Sequence, residues 1–327
     1  MNIDPASQIP ENAPPAACVD IGGTKVAVSI ADGNGIRGRV AEPTVREGTP
    51  DALSQQVLRL IGQSCTEAGI DRSALTAIGV ASCGPFVMNK GLIELAAPNI
   101  CGGLAISARG LPNNWRSAPL EAPLREAFSG SGATVRIEND GVAALQAERR
   151  WGALQGSDHC AYVTWSTGVG VGLCVGGQVL RGKNGNAGHA GHTFVIDNDD
   201  AICGCGNVGD LESLVSGSAI AQRFPDCGYE DAEALMTGAA KGDQLAVGIV
   251  DGLCRIMGRG LYNLVATLDL ERISLGGSVF WHNRDYLLPR LQAEVSSHLP
   301  ALTEGVVLVA AGLEDKVGDY AALALVD

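Results

Sequence analysis

Basic side chains are the scarce class in this sequence: 23 Lys and Arg stand against 36 Asp and Glu, for a formal net charge of -13. That deficit excludes a broad nucleic-acid footprint, because a phosphate backbone is held by clustered Lys and Arg. No uninterrupted apolar run reaches membrane length, which argues against a spanning helix. The first residues, MNIDPASQIPENAPPAA, have neither a basic n-region nor an apolar core, so no signal peptide is expected and residues 1–17 read as a disordered tail. Cysteine is present ten times but scattered through apolar settings, as at Cys160 and Cys174. Most of these thiols read as small buried hydrophobes in a reducing cytoplasm rather than as a disulfide framework. At 327 residues, 46% hydrophobic and 18% charged, the chain has the make-up of a globular protein long enough for two domains.

The glycines punctuate what remains. Ala17 to Ile30 reads as a strand, a Gly22-Gly23-Thr24-Lys25 turn and a second strand, with Asp20 at the mouth of the turn. Two glycines let a backbone bring its N–H groups close to an anion, with Thr24 and Lys25 adding a hydroxyl and a charge, although the same residues also make a plain hairpin. A helix follows over 48–67, with Leu53, Val57, Leu60 and Ile61 on one face. The next strand, 75–81, runs into Gly84-Pro85 and a loop carrying Asn99. Small ligands meet α/β sheets beyond the carboxyl ends of strands, so both are candidate substrate contacts, while Gly-Pro also simply turns a chain.

After a strand at 134–137 come Glu138, Asn139 and Asp140 and a helix. A carboxylate between a strand end and a helix start is placed for general-base work, and capping explains Asn139 or Asp140 equally well. The order strand, glycine turn, strand then recurs from Cys160, with Ser166-Thr167-Gly168-Val169-Gly170 as the second turn, which suggests two lobes of related architecture. Neither turn ends in Gly-Lys-Ser/Thr, which disfavours a P-loop enzyme. Helical spacing occupies 232–238, 243–267, 283–299 and 317–325. A short strand at 272–275 ends in Gly276-Gly277, where a flat ligand can approach the backbone.

Between Gly188 and Glu212 lie two histidines, two cysteines and several carboxylates. His192, Cys203 and Cys205 are the imidazole and thiolate ligands that a tetrahedral Zn²⁺ takes.

Asp20-x-Gly22-Gly23-Thr24, Asn139-Asp140, Ser166-Thr167-Gly168-x-Gly170, Gly-His192 followed by Cys203-Gly-Cys205-Gly, and Gly276-Gly277 fall in one order from Asp20 to Leu325. In that order they resemble the ROK (repressor, open reading frame, kinase) family of the actin-like, hexokinase-related ATPases, closest in pattern to bacterial glucokinase-like kinases. The resemblance implies two actin-like (ribonuclease H-like) α/β domains around a central cleft. One would comprise 18–140 with 314–327, and the other 141–313, the latter bearing the zinc-motif loop and the nucleotide site. It implies ATP-dependent phosphorylation of a hydroxyl of a hexose or sugar-like polyol by a cytoplasmic homodimer or homotetramer. Asp140 would be the base, and Gly84, Asn99, Asn139, His189 and His192 would join it at the sugar. Asp20 would hold Mg²⁺ through water, with Gly22, Gly23, Thr24, Lys25, Thr167 and Gly168 at the phosphates and Gly276 and Gly277 beside the nucleoside. Only about seventeen residues precede Cys18, too few for the DNA-binding element of the family's repressors, so the kinase branch is expected over a sugar-binding regulator.

Two positions depart from the family pattern. His189 stands where Glu usually contacts sugar hydroxyls, and Asp210 stands where a last zinc cysteine is usual. An aspartate oxygen is a competent zinc ligand, which leaves His192, Cys203, Cys205 and Asp210 as the metal set. Imidazole in place of carboxylate makes a modified sugar or a C7-cyclitol the alternative acceptor.

Overall fold

A computed structural model describes residues 9–104, 110–197 and 200–326. Two compact units account for them: one holds the chain up to Ala147, Arg181–Ala187 and the chain from Lys316 onward, and the other holds Glu148–Leu180 and Gly188–Asp315.

The first unit runs β1 (Ala16–Ile21), β2 (Lys25–Asp32), β3 (Gly35–Pro43), α1 (Ala52–Ala68), β4 (Ala77–Ser82), β5 (Phe86–Asn89), β6 (Leu92–Leu95), β7 (Ala118–Pro119), α2 (Glu121–Ala127), β8 (Thr134–Asn139) and the start of α3 (Asp140–Trp151). Its main sheet has the order β3-β2-β1-β4-β8. β1 pairs antiparallel with β2 and parallel with β4, and β4 pairs parallel with β8. Apolar residues of β1 and β2 meet Leu53, Val57, Leu60 and Ile61 of α1, all fully buried, and each such side chain contributes roughly 1.5–3 kcal/mol through burial. α1 stops at Gly69, which takes the left-handed conformation with φ 67°.

The second unit runs β9 (Cys160–Trp165), β10 (Val169–Val175), β11 (Gln178–Val179), α4 (Leu211–Val215), α5 (Gly217–Arg223), α6 (Ala232–Ala240), α7 (Gln244–Leu268), β12 (Arg272–Gly276), α8 (Ser278–Trp281), α9 (Arg284–Ser296), α10 (Pro300–Thr303) and β13 (Val307–Ala310). Its sheet has the order β11-β10-β9-β12-β13, with antiparallel pairs on one side of β9 and parallel pairs on the other. This is the topology of the first sheet repeated strand for strand. Val250, Leu253, Met257 and Leu261 of α7 close the core with Val163, Trp165 and Val171. Glu148, fully buried, accepts hydrogen bonds from Ser274 Oγ and from the N–H groups of Ala153, Gly312 and Leu313. The chain then returns to the first unit through α11 (Val317–Leu323).

Several bounds differ from those the sequence predicts. β1 takes in Ala16 and Ala17, the last two residues of the expected tail, because its parallel register with β4 begins at Ala16 opposite Ala77; residues 1–8 of that tail lie outside the described residues. β8 extends to Asn139, which pairs with Ser82. The helix expected to reach Leu299 ends at Ser296, since Pro300 disfavours helical conformation in the residue before it and opens a new turn. No described helix is long and apolar enough to cross a membrane.

Candidate active site

Within the first unit, three neighbouring parallel strands end side by side. β1 ends with Asp20 and Ile21, β4 with Ser82 followed by Cys83 and Gly84, and β8 with Asn139 followed by Asp140. Burial and the nearby charge of Asp140 push the Asp20 carboxyl up to about 6, with Lys25 opposing. Burial and the same two carboxylates push the Cys83 thiol up as well, so it stays protonated. Two carboxylates in partly desolvated surroundings repel each other, and a divalent cation relieves that repulsion. The donor chemistry therefore fits Mg²⁺.

Asn139 is almost fully buried, and its Oδ1 accepts the Gly141 N–H at 3.0 Å. The capping role is thus real for Asn139. Asp140, the first residue of α3, also accepts the Gly141 N–H, at 2.8 Å, and is only partly buried. Glu138 beside them is held by Arg181 at 2.5 Å.

The turn between β1 and β2 has every carbonyl tied back to protein. Gly22 O accepts from Thr44 Oγ1 at 2.7 Å, Gly23 O from Arg46 Nη2, Thr24 O from Thr44 N–H at 3.0 Å, and Lys25 O from Gly22 N–H at 2.8 Å. Among the described residues, the Gly23 and Thr24 N–H groups have no partner. A turn so wired presents donors only, which is what an anion needs.

The turn between β9 and β10 in the second unit repeats the device. Ser166 O accepts from Gly217 N–H at 2.7 Å, Thr167 O from Ser218 Oγ at 2.6 Å, and Gly168 O from Ser166 N–H at 3.0 Å. Val169 N–H is used by Glu212 Oε2 at 2.9 Å. The Thr167 and Gly168 N–H groups are left without a partner among the described residues. Thr24 and Thr167 are both exposed.

Asn99 comes to the first turn from the loop after β6. A Cβ on Gly23 would lie 2.1 Å from Asn99 Nδ2, so only glycine allows this approach. Asn99 Oδ1 is buried and, among the described residues, has no hydrogen-bond partner.

His192, Cys203, Cys205 and Asp210 have one donor atom each within 4.8 Å of one another. His192 Nδ1 lies 3.1 Å from Asp210 Oδ2 and 3.6 Å from Cys203 Sγ, and Cys205 Sγ lies 3.5 Å from Asp210 Oδ2. Tetrahedral zinc bound to nitrogen, oxygen and sulfur has ligand-to-ligand edges of about 3.3–3.8 Å; the donor types and these three separations suit the ion, while the four atoms together spread over up to 4.8 Å, wider than a closed site. Asp210 divides its oxygens: Oδ2 faces the cluster and Oδ1 accepts the Ser213 N–H at 2.8 Å, capping α4. Burial pushes the Asp210 carboxyl up, but the hydrogen bonds from His192 and Ser213 outweigh it and hold the group below its usual value. The hydrogen bond to Asp210 raises His192 in turn, against burial.

Residues 16–327 match the ROK family model. The chain belongs to the ROK family. It is 31% identical to a glucokinase of Aeropyrum pernix over 94% of this chain and 95% of that protein. An N-acetylmannosamine kinase of Escherichia coli is 33% identical over 80% of this chain and 82% of its own length. Among solved structures, a ROK family glucokinase from Streptomyces griseus in complex with glucose and AMPPNP superposes with a TM-score of 0.72 at 27% identity, covering 95% of this chain and 99% of that one. The fold of this ROK protein is therefore the actin-like α/β fold, with one repeated sheet in each unit.

The remaining expected site residues are distributed as follows. Gly84 lies beside Cys83, at the end of β4. His189 stands just before the short turn Ala190–His192 without a side-chain capping bond, its ring centroid 6.1 Å from that of His192, and it is not among the clustered metal-ligand candidates. Gly276 and Gly277 pack against β9: a Cβ on the first would meet Tyr162 OH at 2.5 Å, and one on the second Trp165 O at 2.5 Å. Packing by the protein itself therefore also requires glycine at both positions. The sequence reading gave no role to Thr44, Arg46, Ser218 or Glu212, which wire the two turns. For Glu212 the one signal was its place two residues after Asp210; for the other three there was none.

Proposed function

We infer that this ROK kinase transfers the γ-phosphoryl group of ATP to a hydroxyl of a hexose or sugar-like polyol, with Asp140 as general base. The observation that supports this most is the pair of donor-only turns, with Asp20 and Asp140 beside the first. Phosphoryl transfer is mostly positioning and charge neutralisation, and asks for donors around the phosphates, a metal-binding carboxylate and one base. Asp140 takes the proton of the attacking hydroxyl. Gly23, Thr24, Thr167 and Gly168 bind phosphate oxygens through their N–H groups, and the Thr24 and Thr167 hydroxyls add two more donors. Asp20 would hold Mg²⁺ through water, and the ion would neutralise charge on the phosphates. Asn99, with its unspent oxygen, Asn139, His189 and His192 orient the acceptor.

His189 favours a second acceptor class, a modified sugar or a cyclitol. A carboxylate accepts from two adjacent hydroxyls, whereas neutral imidazole offers one acceptor and one donor. ADP release measured across hexoses, amino sugars and cyclitols tests both readings. One polyol should stimulate turnover, and His189→Glu should shift the kcat/KM ratio towards unmodified glucose by roughly tenfold. If no polyol stimulates ATP turnover, the kinase reading fails; if His189→Glu leaves the ratio unchanged, His189 does not set the acceptor class.

The cluster at Asp210 would hold a structural Zn²⁺, fixing the loop that carries His192. Elemental analysis of the purified protein should give about one zinc per chain, and Cys205→Ser should lose it. A metal-free wild type would mean that the four groups are a hydrogen-bonded network only.

A further inference from the structure

Arg46 follows β3 on a short strap, residues 44–48, that runs behind the first turn. The strap is pinned along its length. Val45 N–H donates to Gln56 Oε1 at 3.0 Å, Gln56 Nε2 donates to Pro43 O at 2.8 Å, Asn113 Nδ2 donates to Arg46 O at 2.8 Å, and Trp115 Nε1 donates to Gly48 O at 2.9 Å. Thr44 on this strap holds Gly22 O and Thr24 O. The carbonyl between them, that of Gly23, is left to the Arg46 guanidinium. Among the described residues that is the hydrogen bond the guanidinium makes, and its Nε is buried without a partner.

An arginine kept partly buried for a single backbone carbonyl is a poor device for stability, since an unmet buried donor is costly and Thr44 already anchors the turn on both sides. It is a good device for an anion site. In a trans peptide the C=O and the following N–H point in opposite directions, so drawing Gly23 O towards the guanidinium turns the Thr24 N–H away from it, to the side where that group has no partner. The cation also adds positive potential to a turn whose other anchor, Thr44, is neutral. Among the described residues the second turn has no counterpart: Thr167 O is held by the neutral hydroxyl and the N–H of Ser218.

We propose that Arg46 is a positioning residue for phosphoryl transfer, fixing the Gly23–Thr24 peptide with its N–H presented to the nucleotide phosphates and lending that turn its positive charge. The proposal rests on the kinase reading and concerns the nucleotide alone. Arg46→Ala should raise the KM for ATP about tenfold or more and lower kcat, with the KM for the polyol within about twofold of wild type. Arg46→Lys, which keeps a charge and one donor, should recover at least half of the loss on a logarithmic scale, and Arg46→Gln, neutral, should recover less. Calorimetric titration of a non-hydrolysable ATP analogue into wild type and each variant gives the same comparison without turnover. It decides the role of Arg46 even if no polyol proves to be an acceptor. An Arg46→Ala protein that binds the analogue within twofold of wild type overturns the proposal, as does a loss shared equally by the polyol KM. If Arg46→Ala does not fold, Lys and Gln variants of equal affinity for the analogue overturn it, and tighter binding by the Lys variant upholds it.

Discussion

Asp140→Asn should lower kcat by roughly 10³-fold, within the range that a positioned general base supplies, while leaving ATP and polyol affinities within about threefold. Asparagine keeps the oxygen that accepts the Gly141 N–H at the start of α3, so the helix is not disturbed. What it removes is a charge and a proton acceptor. The charge is one of the influences that push the Asp20 carboxyl up to about 6, so its removal relieves a repulsion in the folded state and the variant should melt no lower than wild type. Loss of turnover with no loss of stability marks a group kept for chemistry. Steady-state kinetics, calorimetry and a thermal melt on one preparation check all three, and substantial residual turnover would remove Asp140 from the role of base.

Gly23→Ala should be nearly as damaging by another route. Its Cβ would fall 2.1 Å from Asn99 Nδ2 and 2.9 Å from Asn99 Cγ, closer than any real contact, so either the turn or the Asn99 side chain has to move. Both belong to the site, and the one substitution should raise the KM values for ATP and polyol together and lower kcat/KM by about 10²-fold, the scale on which a small displacement of positioning groups acts. Overpacking of this kind also costs about 1–3 kcal/mol of stability. Gly22→Ala is the matched control, because its Cβ would meet Lys25 O at 3.3 Å and needs a shift of only a few tenths of an ångström. Equal kinetics for the two variants would mean that the approach of Asn99 to Gly23 has no part in function.

The two glycine turns are readable in the sequence because they interrupt apolar strands in the same order, and their recurrence announces the repeated sheet; in the fold it is the approach of the Asn99 and Glu212 side chains that leaves no room for a Cβ at Gly23 and Gly168. Helices with long apolar stripes, such as α1 and α7, are likewise readable from pattern. β3 is not: Gly35–Pro43 carries two glycines, is half-buried over its first four residues and alternates exposed with half-buried positions only after them, and its identity comes from pairing with β2. The small β5-β6-β7 sheet and the short helices α4 and α5 are too brief for periodicity to show. At the site, residues acting through their own side chains were named, whereas Thr44, Arg46 and Ser218 act by gripping backbone carbonyls of a distant turn. A hydrogen bond to a carbonyl leaves no motif, since many side chains can make it. At Gly276 and Gly277 the expected room for a ligand stands beside a second demand for glycine, since a Cβ there would meet Tyr162 OH and Trp165 O.

The central claim is that the phosphoryl group goes from ATP to an alcohol. The most direct test is a single turnover with γ-labelled ATP, enzyme in excess and the best polyol of the panel present. The account predicts that the label moves onto the polyol, with little inorganic phosphate formed, and that Asp140→Asn holds the labelled ATP without consuming it. Label released only as inorganic phosphate, or retained on ATP by the wild type with every polyol, would contradict it.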